Sequence, residues 1–160
     1  MRLFVAIYPP ENVCRDLRHR LTGGGDRPVR LTPIERWHIT VAFLGEVAEE
    51  RLPDVERALD GVTVPRGVVL RLRGGGRFGR GRSTVLWAGV EGDLAALHRD
   101  VSGRLGLVER EFTPHLTVAY RDDPVVRLAL DGYAGPSWPL HEIALVHSVP
   151  GEGYVTLKSW

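Results

Sequence analysis

The chain has 160 residues, 43% apolar and 26% charged, with a formal net charge of +1. That length suits one compact domain spanning residues 1–160, and a charge so near neutral gives no overall pull toward long nucleic acid or an anionic membrane surface. The lone Cys14 excludes an internal disulfide, no Cys/His spacing suits zinc, and no apolar run reaches signal-peptide or bilayer length. A soluble cytoplasmic protein without a metal or other cofactor is expected.

In chain order, Leu3 to Tyr8 is a continuous apolar run closed by Pro9-Pro10, the pattern of a buried strand. Val13, Leu17 and Leu21 recur every fourth residue and predict a helix from Glu11 to Leu21, ended by Gly23-Gly24-Gly25. Val29 to Thr32 reads as a short strand broken by Pro33, and Trp37 to Leu44 as a longer one. Leu52, Val55 and Leu59 predict a helix over about 50–59, with Pro53 in its first turn. Val68 to Leu72 and Thr84 to Val90 read as strands around a Gly/Arg loop, Gly74 to Arg82. Leu94, Leu97, Val101 and Leu105 mark a third helix, closed by Gly106. Phe112 to Tyr120 is a strand, Pro124 to Leu130 a short helix, and Glu142 to Val149 with Tyr154 to Trp160 a final hairpin. Close strand pairs interleaved with helices predict an α+β fold with antiparallel sheets and helices on their outer faces.

Two of these strands repeat one another. His38-Ile39-Thr40-Val41-Ala42-Phe43 returns as His115-Leu116-Thr117-Val118-Ala119-Tyr120. Residues i and i+2 of a strand share a face, so each copy aims one imidazole and one hydroxyl the same way. One such triplet is ordinary; a hydrogen-bonded histidine and a β-branched threonine suit many strands. Its recurrence in the same apolar frame points to an internal duplication with a shared site. Imidazoles titrate near neutrality, so one can act as a base while the other acts as an acid. Threonine hydroxyls can hold phosphoryl oxygens and stabilise charge in the transition state. Hydrolysis of a cyclic phosphodiester needs those groups and no metal. Glu35 and Glu46 flank the first copy as loop charges.

With these motifs the chain resembles the 2H phosphoesterase superfamily, named for its two His-x-Thr/Ser motifs. Within it, the sequence resembles the bacterial RNA 2',3'-cyclic phosphodiesterases historically called 2'-5' RNA ligases. The similarity spans nearly the whole chain: Arg2-Leu3-Phe4-Val5-Ala6-Ile7-Tyr8-Pro9-Pro10, the run from His38 to Val47, Gly76-Arg77-Phe78-Gly79, Val85 to Val90, Phe112 to Thr117, Leu145-Val146-His147-Ser148 and Tyr154. The resemblance implies a bilobal, pseudo-twofold α+β fold with a central cleft. It also implies that His38, Thr40, His115 and Thr117 are catalytic, with His38 as proton donor and His115 as the base activating water. RNA ends or small cyclic nucleotides would be the substrates, weak reverse ligation would accompany hydrolysis, and a monomer would suffice. A non-catalytic RNA-end binding module, or a relative acting on a 2'-5'-linked or other cyclic nucleotide, are the competing readings.

One position departs from that family. Its members usually carry arginine three residues after the second threonine, where this chain has Tyr120 followed by Arg121. Either Tyr120 binds the phosphate, or Arg121 replaces the cation if the strand runs on far enough to share the face of His115 and Thr117. Further substrate contacts are expected from Tyr8 and Phe78 by stacking on a base, and from Arg77 on a basic lip with Arg80 and Arg82. The Gly74 to Ser83 stretch matches Gly-x-Gly-x-x-Gly and a degraded phosphate loop, but a strand follows it where both motifs require a helix. Trp37, Trp87 and His147 read as structural, and His19, His98 and His141 as solvated.

Overall fold

The computed structural model describes residues 1–24, 29–108 and 110–160. Gly25, the last of the glycines expected to end the first helix, lies outside them. The elements run β1 (Arg2–Ile7), α1 (Glu11–Thr22), β2 (Ile39–Glu46), α2 (Leu52–Asp60), β3 (Val69–Phe78), β4 (Val85–Glu91), α3 (Ala95–Arg104), β5 (His115–Ala119), α4 (Pro124–Leu130), β6 (Ala134–Pro139), β7 (Ala144–Val149) and β8 (Gly153–Ser159). All eight strands join one antiparallel sheet in the order β6-β3-β4-β5-β2-β1-β7-β8.

That order is symmetric about its centre. Moving outward from β2 one meets β1, β7 and β8; moving outward from β5 one meets β4, β3 and β6. The two repeated strands are therefore neighbours in the middle of the sheet, each leading its own half. They are joined through the pair Ile39↔Leu116, both fully buried. Beyond that pair the strands diverge and leave room for a cleft. The helices bind the halves together: α1 packs on β6 and α4, while α3 packs against β2. Leu17 and Leu21 of α1 are buried, as their spacing predicts.

β1 is buried from Leu3 to Ile7 because it lies inside the sheet with both faces covered. Leu3, Val5 and Ile7 join the main core, whereas Phe4 and Ala6 join a smaller cluster with Ala144, Val146 and Tyr154 on the cleft face. Two expectations need correction. Residues 29–32 form no strand, although Thr32 N–H donates to Val118 O at 2.7 Å. Conversely, β3 continues through the glycines to Phe78, and β6 forms despite Pro136 and Pro139. It can do so because it is an edge strand, hydrogen-bonded to β3 alone. Gly76 permits the extension of β3: a Cβ there would stand 2.5 Å from the Trp87 ring.

Candidate active site

The geometry follows from register. Ile39 and Leu116 pair across the two strands and point into the core, so the residues beside them point to the opposite face. Carrying that register one step each way sets His38 beside Thr117 and Thr40 beside His115. A single cavity of about 270 Å³ is lined by both histidines and both threonines. Among the described residues, no cluster of three or more histidine, cysteine or acidic side chains gathers as a metal site.

The two imidazoles are held alike. His38 Nδ1 lies 2.7 Å from the carbonyl oxygen of Arg36, and His115 Nδ1 lies 2.7 Å from that of Thr113. A carbonyl can only accept, so each Nδ1 carries a proton and each Nε2 is the atom free to gain or lose one. The Thr40 hydroxyl sits 3.0 Å from His38 Nε2 and donates to it while the ring is neutral. Aromatic rings fix both imidazoles in place. Phe4, Tyr154 and Tyr8 surround His38, with centroids 4.8, 5.4 and 6.2 Å away. Phe78 and Trp87 flank His115 at 5.0 and 5.6 Å.

Burial among those rings holds the His38 pKa below the ordinary histidine value. The Arg36 carbonyl opposes the shift, and the charge of His115 adds to it. Tyr8 is pushed up to about 12, by burial first and by Tyr154 second, so its hydroxyl stays a donor. Burial likewise raises Tyr154, with Tyr120 adding to the shift and Arg36 and Arg2 opposing it.

The remaining anticipated contacts divide. Tyr120 lines the cavity and is exposed; Arg121 does not line it. β5 stops at Ala119 because the chain turns to let Asp123 accept from the N–H groups of Val125 and Val126 at the start of α4. Strand alternation therefore never reaches Arg121. Arg77 faces away from the cleft, into a separate cavity against Arg127 and Leu128 of α4, while Phe78 beside it faces His115. Trp37 is buried, its indole N–H donating to Thr32 O at 3.0 Å. Trp87 instead stands partly exposed beside His115. His98 is not solvated: its Nδ1 is 2.7 Å from Val41 O and its ring stacks on Phe112 at 4.1 Å. It fills the side of β2 that β5 has left.

Several cleft residues were not picked out from the sequence: Arg2, Phe4, Phe43, Ser148 and Tyr154. Two signals could have found them. Arg2 and Phe4 of β1, and Tyr8 just past its end, fall at even positions, opposite Leu3 and Val5. Phe43 and Tyr120 each stand five residues after a repeated histidine.

Comparison with known proteins places the chain in a family. The family model of the 2'-5' RNA ligase superfamily matches residues 9–152. An RNA 2',3'-cyclic phosphodiesterase of Archaeoglobus fulgidus is 33% identical over 153 residues, covering 89% of this chain and 86% of the relative. The crystal structure of TT0787 of Thermus thermophilus superposes with a TM-score of 0.78 at 29% identity, covering 100% of this chain and 97% of that one. Escherichia coli LigT complexed with phosphate gives a TM-score of 0.76 at 27% identity over 99% and 95% of the two chains.

Proposed function

The chain belongs to the 2'-5' RNA ligase superfamily, and we propose that its cleft hydrolyses 2',3'-cyclic phosphate ends of RNA or nucleotides to 2'-phosphates. The observation carrying this reading is the pair of imidazoles, each with Nδ1 tied to a carbonyl and Nε2 left for chemistry, lining one cavity. In the scheme, His115 Nε2 takes a proton from water as the water oxygen attacks phosphorus. The bond from phosphorus to the 3' oxygen breaks, and His38 Nε2–H protonates that oxygen. The Thr40 and Thr117 hydroxyls donate to the non-bridging oxygens as charge builds on them. A later proton transfer between the rings, through water, resets the pair.

Burial suits His38 to the donor role. An imidazolium destabilised by desolvation is a stronger acid, and the anionic phosphate supplies the countercharge that lets the proton bind first. The same steps with a 5'-hydroxyl in place of water form the bond from phosphorus to the 5' oxygen and break the one to the 3' oxygen, so weak 2'-5' ligation accompanies hydrolysis. A monomer suffices because one chain supplies both halves of the site. A cytoplasmic setting belongs to the same reading, since RNA ends are found there.

The test is to incubate the purified chain with a nucleoside 2',3'-cyclic monophosphate and with RNA ending in a cyclic phosphate, and to locate the product phosphate by phosphorus NMR. A 2'-phosphate, formed at an equal rate with and without EDTA, is expected. A 3'-phosphate or a chelator-sensitive rate contradicts the scheme. Binding without turnover would leave the RNA-end binding module.

A further inference from the structure

One end of the cleft holds groups that the acid–base scheme does not use. Apart from the histidines, Arg2 is the one ionisable cation lining the cavity, and among the described residues no carboxylate pairs with it. Its guanidinium carbon lies 5.3 Å from the centre of the Phe43 ring. Phe43 is 53% exposed, so its ring has apolar surface still to cover. Ser148 stands directly beside Arg2 in the β1–β7 register.

Position along β1 separates this group from the reacting phosphate. Phe4 is the β1 residue whose ring touches His38. Arg2 lies two residues farther, about 7 Å along the strand, and away from the Ala6↔Thr40 pair. A cation there is offset from the histidines by roughly one nucleotide step. Building on the function proposed above, we infer that Arg2 and Phe43 form a subsite for a second nucleotide, the guanidinium taking its phosphodiester and the phenyl ring its base. The substrate class is thus an RNA end of at least two nucleotides rather than a free mononucleotide. A guanidinium suits a phosphodiester because its fork of donors meets two phosphoryl oxygens at once. Stacking on an open phenyl face is indifferent to base identity, as a general RNA-end enzyme requires.

The experiment compares a nucleoside 2',3'-cyclic monophosphate with a dinucleotide carrying the same end. Wild type is expected to favour the dinucleotide at least tenfold in kcat/KM. Arg2→Gln and Phe43→Ala should each lower the dinucleotide value about tenfold more than the mononucleotide value, and Arg2→Lys should restore part of the preference. Calorimetric titration with the 2'-phosphorylated mono- and dinucleotide gives a readout independent of turnover. Affinity for the dinucleotide should lose about 0.7 from its log–log salt slope in Arg2→Gln, the signature of one lost phosphate contact on a single strand. A wild-type preference near one in both assays, or equal losses on the two substrates, overturns the inference. If wild type turns over neither substrate, the hydrolytic reading fails and the affinity ratio alone decides the subsite.

Discussion

The two halves of the cleft share a backbone and differ in their surroundings. Both histidines donate Nδ1–H to the carbonyl two residues back, at the same 2.7 Å. Around His38 the walls come from β1 and β8, with the Arg36 guanidinium 5.7 Å from the Tyr154 ring centre and Arg2 at the rim. Around His115 they come from β3 and β4, where Gly76 clears space for Trp87. At the matching rim positions stand Phe43, with a guanidinium over it, and Tyr120, 64% exposed. A duplicated strand thus supplies two imidazoles held alike, and its neighbours decide what surrounds each and which end of the cleft is cationic. In the proposed scheme, division of labour would come from the outer strands, not from the motif.

The comparison breaks most sharply when one imidazole is removed. His38→Ala or His115→Ala should each lower the rate by about 10² to 10⁴ while the circular dichroism spectrum is retained. If one variant keeps most of the activity, the two-proton scheme is wrong. Thr40→Ala and Thr117→Ala should each cost about ten- to a hundredfold in kcat, as loss of one charge-assisted hydrogen bond implies. Thr40 should weigh more in the pH profile, because its hydroxyl is the one bonded to a histidine Nε2. Gly76→Ala should act on the second half alone. The added methyl meets the Trp87 ring and should destabilise the fold by about 1 to 3 kcal/mol, read as a lowered Tm. The pH dependence attributed to His38 should not move in that variant.

The smallest expected effect is the most informative about asymmetry. With His38 as the acid and its pKa held down by burial, kcat/KM should fall as pH rises through a value below the ordinary histidine range. Tyr154→Ala opens that ring to water, so the fall should move to higher pH; Tyr154→Phe keeps the burial and should move it little. A limb that shifts downward, or that moves equally in both variants, would transfer the acid role away from His38.

Much of the site was legible because its determinants are local. Alternation along a strand is a property of four consecutive residues, so His38 with Thr40, and His115 with Thr117, could be placed on one face each from the chain alone. The apolar run of β1 and the four-residue spacing in α1 are local in the same sense. The cationic end was not legible. Choosing Arg2 over Arg121 requires knowing that β5 ends at Ala119, where the chain turns into the Asp123 cap, and that β1 lies beside β2, which is settled by contacts between distant segments. Arg77 and Phe78 take opposite faces by simple alternation, but which of them meets the cleft depends on the β3 register after the irregularity between Leu72 and Gly75. His98 sits on a polar-looking helix surface yet is covered, because α3 lies against the side of β2 that β5 vacates. By itself, the sequence determined which side chains are the candidates for the chemistry, since hydrogen-bonding capacity and strand period are intrinsic to short stretches. The tertiary structure alone decided their pairing, their burial and the position of the cation, since strand neighbours and solvent exclusion exist only once distant segments have packed.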